Sequence, residues 1–160
     1  MNGQRAVVVT GASTGIGYAI ARVLVGHGVR VFGSVRRVED GHRIQRELGD
    51  HFVPLMFDVT DPPAIHESVP AVAEALAGTT LFGLVNNAGV AVGGPLIYQP
   101  LEEVRRHLEV NMLGALAVTQ AFAPLLGTDR ARTGKPGRII NISSVAGRIS
   151  APFLGAYAAS

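Results

Sequence analysis

Short, nearly unbroken apolar runs alternate along this chain with longer stretches in which apolar residues return every three or four positions. Five of the short runs read as strands: Arg5 to Thr10, Arg30 to Val35, Phe52 to Phe57, Phe82 to Asn86 and Arg138 to Ile142. Their Val, Ile, Leu and Phe content is continuous rather than alternating, as strands buried on both faces require. Between them, helical periodicity covers Gly15 to Gly26, Glu39 to Leu48, Pro62 to Leu76 and Leu101 to Leu126. Strands and helices taking turns in this way predict an α/β fold, a parallel sheet with helices on both faces.

The helix ends carry local signals. Asp61 before Pro62 reads as an N-cap with proline at the first helical position, and Gly49 after Leu48 reads as a stop. In the fourth helix, Leu101, Val104, Leu108, Asn111, Ala115, Val118 and Phe122 share one stripe. Asn111 interrupts an apolar face there and so calls for a hydrogen-bond partner. Gly127 to Gly137 reads as a polar surface loop. With no repeat and no low-complexity tract, the 160 residues are expected to form a single domain. The fifth strand would be a sheet edge with uncovered apolar faces if nothing followed it, so that domain is expected to be incomplete at its C-terminus.

Composition narrows the function classes. A chain that is 48% hydrophobic and 16% charged can bury a core, and 14 basic against 12 acidic residues leave too slight an excess to argue for nucleic acid. No cysteine is present, which removes disulfides and thiolate chemistry and suits a cytoplasmic location. The five histidines show no i, i+4 pair, so no metal site is expected, and each reads as a surface or half-buried residue. Met1 to Arg5 leads directly into an apolar strand, leaving no room for a secretion signal. No run approaches the roughly 18 apolar residues of a membrane span.

The chemistry begins at the first strand-to-helix turn, Thr10-Gly11-Ala12-Ser13-Thr14-Gly15-Ile16-Gly17. Glycines at 11, 15 and 17 permit a tight turn, let backbone N–H groups approach a pyrophosphate, and let the helix pack against the sheet. The same glycines would also serve a tight turn with no ligand. Ile16 stands where a phosphate-binding P-loop would need lysine, which disfavours an NTPase.

That turn, Asn86-Asn87-Ala88-Gly89 after the fourth strand, and Asn111, Ser144 and Tyr157 in that order resemble the short-chain dehydrogenase/reductase family over essentially the whole chain. The resemblance implies a Rossmann-type sheet of order 3-2-1-4-5-6-7, of which the first five strands are present. It implies a dinucleotide cradled by Gly11, Ser13, Thr14, Gly15, Ile16 and Gly17, with its adenine against Asp58 and Val59 and its ribose along Asn87, Ala88 and Gly89. Asp58 and Thr60 would alternatively satisfy turn amides alone. At the end of the second strand, Val35 occupies the place where an NAD-preferring protein usually carries an acid. Arg36 and Arg37 follow, so NADP(H) is favoured over NAD(H), with Arg36 offering its guanidinium to a 2′-phosphate.

Ser144 lies just past the fifth strand and Tyr157 follows thirteen residues later. By the resemblance, Tyr157 is the general acid in carbonyl reduction, Ser144 bonds the substrate oxygen, and Asn111 holds a water in a proton relay. Ser143 is the other candidate serine, and the family's thirteen-residue interval favours Ser144. A phenol titrates near pH 10, so working near neutrality requires adjacent positive charge. The family supplies it with a lysine four residues after the tyrosine, a position one beyond Ser160. The expectation is an active parent reductase and a 160-residue chain that is silent alone.

The expected substrate is a small carbonyl or alcohol, of the hydroxysteroid and retinol dehydrogenase-like or 3-oxoacyl reductase-like kind. A homodimer or homotetramer is expected, pairing the long fourth helix. The alternatives are a non-catalytic NADP(H) sensor and a fragment that functions only with another chain.

Overall fold

The computed structural model describes residues 5–149 and 151–160. Met1 to Gln4, on which the reading of the amino terminus falls, lie outside them. Five parallel strands form one sheet in the order β3-β2-β1-β4-β5. They are β1 (Ala6–Val9), β2 (Arg30–Val35), β3 (Phe52–Met56), β4 (Gly83–Asn86) and β5 (Arg138–Asn141), each within a residue of its expected ends. The register runs Val8 beside Phe32 on one side and beside Leu84 on the other, and Asn86 lies beside Asn141 at the carboxyl edge.

Successive side chains of a strand point to opposite faces, so each apolar run feeds two cores. Val7, Val9, Val31 and Val85 pack against Ala21 of α1 (Gly15–Gly26) and Ile44 of α2 (Val38–Leu48). Val8, Phe32 and Leu84 pack on the other face against Ile65 and Val72 of α3 (Pro62–Leu76). Burial on both faces explains why the strands read as continuous rather than alternating runs. Strand β5 differs: all four residues are exposed, and its only partner among the described residues is β4.

The expected long helix Leu101 to Leu126 is not uniform. It comprises α4 (Leu101–His107), a π-helical segment Leu108–Gly114, α5 (Ala115–Phe122) and a second π-helical segment Pro124–Thr128 that is broken by a left-handed Gly127. Asn111 sits in the first widened segment. A short 3₁₀ turn at Gly49–His51 precedes β3, another at Val145–Gly147 follows β5, and α6 (Gly155–Ala158) carries Tyr157. The Gly127 to Gly137 loop is surface, as expected, with Thr133 bridging to Thr79.

Two boundary signals have direct structural counterparts. The Asp61 carboxylate accepts from the Ala64 amide at 3.1 Å and caps α3. Gly49 closes α2 in a left-handed conformation, φ 76°.

Candidate active site

Strand order reverses direction between β1 and β4, and the chains leaving these two strands part on opposite sides of the sheet. The β1–α1 turn is braced at this point. Thr10 Oγ1 accepts from the amides of Asn87 and Ala88, both at 2.9 Å, and Asn87 Nδ2 donates to the Thr10 carbonyl at 2.9 Å. Ser34 Oγ accepts from Gly11 N at 3.0 Å. Gly11 has φ 64°, and a side chain on Gly17 would overlap Gly11 O and Asn87 Nδ2. The glycines are thus required by close approach as well as by turn geometry.

The bracing leaves the start of α1 open. Its first amides have no intrahelical acceptors, Thr14 makes no side-chain cap, and no acid occupies its first turn. A helix N-terminus of this kind favours an anion. Arg43 of α2 reaches across to donate to the Ser13 carbonyl at 2.8 Å while pairing with Asp40 and Glu47. Glu47 also accepts from the Tyr18 hydroxyl at 2.8 Å. That bond, together with Arg43, holds the Glu47 carboxyl below the usual range, and it raises the Tyr18 phenol.

Two cavities open along this carboxyl edge, of about 720 Å³ and about 790 Å³. The first is lined by Gly11, Ser13, Thr14, Ile16, Arg36, Asp58, Val59, Asn87, Ala88 and Gly89. The second is lined by Asn111, Ser143, Ser144 and Tyr157. Ile16 and the Asn87 to Val90 segment belong to both, so the two form one groove across the ends of β1 and β4. Arg37 lines neither. It precedes α2 in extended backbone, φ −122° and ψ 135°. Gly15 and Gly17 line neither cavity, and Gly15 takes a left-handed conformation in the turn, φ 57°.

Arg36 lies 3.7 Å from Asp58, with side chains 71% and 36% exposed. Asp58 Oδ1 also accepts from the Thr60 amide at 2.9 Å and the Thr60 hydroxyl at 2.8 Å, so it does satisfy local turn donors. Partial burial opposes its ionisation, but Thr60 and Arg36 outweigh that and hold its carboxyl below the ordinary value.

At the other end, Ser144 Oγ accepts from Ala146 N at 3.1 Å, which leaves the hydroxyl proton available to a bound group. Asn111 finds the partner its position demands. Its Oδ1 accepts from Val90 N at 2.8 Å, and its Nδ2 donates to Val90 O at 2.9 Å and to Ser160 Oγ at 2.8 Å.

Several lining residues escaped the sequence reading. Glu102, Arg105, Arg106 and Glu109 of the α4 region line the first cavity, with Arg105 paired to Glu102. They read as an ordinary solvated helix face, and only the tertiary fold turns that face toward the end of β3. His107 is a correction: it is 1% exposed, not a surface or half-buried residue.

The donor set fits a dinucleotide: an open helix N-terminus, a side-chain-free turn, a guanidinium at one end and hydroxyls at the other. This chain belongs to the short-chain dehydrogenase family, whose sequence profile matches residues 5–160. It is 41% identical over 157 residues to the NADPH-dependent 3-dehydrocapnine reductase of Ornithobacterium rhinotracheale, covering 98% of this chain and 55% of that protein. Human retinol dehydrogenase 5 is 36% identical over 146 residues, covering 91% and 44%. The closed form of serine dehydrogenase complexed with NADP+ superposes with a TM-score of 0.86 at 33% identity, covering 96% of this chain and 60% of that one. The chain spans about half the length of the curated relatives it matches. Among the described residues no helix is long and apolar enough to cross a membrane.

Proposed function

We propose that the protein of which these residues form part is an NADP(H)-dependent oxidoreductase that interconverts a ketone or aldehyde with an alcohol. The observation that carries this reading is the continuous groove from Arg36 and Asp58 to Ser144 and Tyr157, running over the open N-terminus of α1. The NADPH dependence of the 3-dehydrocapnine reductase and the NADP+ bound to serine dehydrogenase support the coenzyme assignment. Relatives named for retinol and estradiol support an apolar alcohol or ketone as substrate.

When bound, the coenzyme supplies or accepts the hydride at the carbonyl carbon. Ser144 donates its hydroxyl proton in a hydrogen bond to the carbonyl oxygen, positioning it and polarising the bond. Tyr157 transfers its phenolic proton to that oxygen as negative charge develops there, giving the alcohol. Asn111 retains one acceptor position on Oδ1 for a water that returns a proton to Tyr157.

Tyrosinate must be stabilised by positive charge, and no lysine or arginine is among the described residues lining the Ser144 and Tyr157 cavity. The 160 residues alone are accordingly inactive in this proposal. Exposed Leu101, Leu108 and Leu113 on and beside α4, outside the Ser144 and Tyr157 cavity, support a homodimer or homotetramer of the complete protein.

The test uses the complete protein and a panel of steroid, retinoid and 3-oxoacyl carbonyls. NADPH oxidation should appear with at least one, and Tyr157→Phe and Ser144→Ala should each lower kcat by about 100-fold or more with NADPH affinity little changed. Wild-type turnover in either variant rejects the mechanism. NADPH binding without turnover on any carbonyl would support a non-catalytic sensor instead.

A further inference from the structure

His107 is the largest buried polar side chain among the described residues, and the proposed mechanism does not use it. Its ring is 1% exposed. Nε2 lies 2.9 Å from the Val92 amide and Nδ1 lies 2.7 Å from the Glu103 carbonyl. A backbone amide can only donate and a carbonyl can only accept, so Nε2 accepts and Nδ1 carries the proton. The ring in this geometry is therefore the neutral Nδ1–H tautomer.

Two further observations give that ring a role beyond filling space. One helical turn later, Asn111 takes both backbone polar groups of Val90. His107 and Asn111, four residues apart in the chain, thus hydrogen-bond the backbone of Val92 and of Val90 respectively. The segment they hold supplies Val90 and Ala91 to the wall of the Ser144 and Tyr157 cavity. The His107 ring also lies against the Tyr157 ring, with centroids 6.3 Å apart at a 55° tilt, within the range of favourable aromatic pairs.

We propose that His107 is a positioning residue for the proposed reduction: it holds the Val90–Val92 wall through the Val92 amide and supports the Tyr157 ring from behind. The inference rests on the oxidoreductase reading above. His107 makes no contact with the reacting atoms in this scheme. It acts through the wall and the tyrosine, so its loss should lower kcat rather than coenzyme affinity.

The experiment uses the complete protein with His107→Phe and His107→Gln. Phenylalanine keeps an aromatic ring near Tyr157 but loses both hydrogen bonds. The glutamine carbonyl can replace Nε2 as acceptor for the Val92 amide. His107→Phe should lower kcat about 10- to 100-fold, as expected for a small misplacement of reacting groups, with the NADPH dissociation constant within about twofold of wild type. Hydrogen exchange at the Val92 amide should accelerate in the same variant. His107→Gln should recover most of the kcat and the Val92 protection.

Wild-type kcat in His107→Phe overturns the proposal. So does a His107→Gln variant that loses Val92 protection yet keeps full kcat, which remains decisive if His107→Phe does not fold. Absence of turnover in the wild-type protein instead rejects the reductase reading, and the exchange measurement still reports whether His107 holds Val92.

Discussion

An ion pair between exposed side chains contributes only about 0–1 kcal/mol, and the 3.7 Å pair of Arg36 with Asp58 is of that kind. A guanidinium bonded to a phosphate is a stronger, charge-assisted contact. In the proposed coenzyme assignment Arg36 would therefore exchange Asp58 for a 2′-phosphate at small cost. Arg36→Ala should weaken NADPH binding about 10- to 100-fold and change NADH binding by less than about twofold, as read by titration of coenzyme fluorescence. Equal losses for the two coenzymes would reject the assignment. The place of Arg36 on the wall of the first cavity was legible because it follows from its position at the end of a strand, which is a local pattern. His107 was not, because a histidine's burial depends on what packs over it, and Tyr157 and Val92 are distant in sequence.

Local chemistry also explains which elements were readable. Helix α3 has the same ends in sequence and structure because Asp61, Pro62 and the last apolar residues mark them independently of the fold. Asp61→Ala should cost about 1 kcal/mol by removing the acceptor for the Ala64 amide, measured by urea unfolding of the complete protein. An unchanged midpoint would show that the cap carries no net stability. The fourth helix shows the opposite case. Its apolar stripe predicts one regular helix, but the turn containing Asn111 is widened into π geometry. Asn111 there reaches Val90, and a side chain on Gly114 would crowd Val59. Both partners come from other strands' exits, so no periodicity within the helix encodes the widening. Such π segments are common at functional sites, and this one carries the proposed relay residue.

Across the whole molecule, two cores share one sheet, and each depends on large side chains placed between layers. Phe122 of α5 is fully buried with Val8, Leu84 and Ile65. Phe122→Ala should cost about 3–5 kcal/mol, seen as a lowered urea midpoint with an unchanged slope. A loss below about 1 kcal/mol would mean that the helix layer is not packed as described. The other side of the sheet ends differently. Ile139, Ile140 and Ile142 at β5, and Val145, Ile149 and Phe153 after it, are exposed.

The sequence by itself determined the strand order's raw material: continuous apolar runs, capped helices, a glycine turn with no room for side chains, and a serine and tyrosine at a telling interval. These are local or short-range patterns, readable because backbone sterics and burial act on each segment in the same way wherever it sits. Only the tertiary structure decided that α4 lends charged residues to the first cavity, that Arg37 stands apart from it, and that His107 and Asn111 hydrogen-bond neighbouring backbone groups at Val92 and Val90. Those facts depend on contacts between segments far apart in the chain, which form only when the sheet closes its order and brings the ends of β1, β4 and β5 to a common edge.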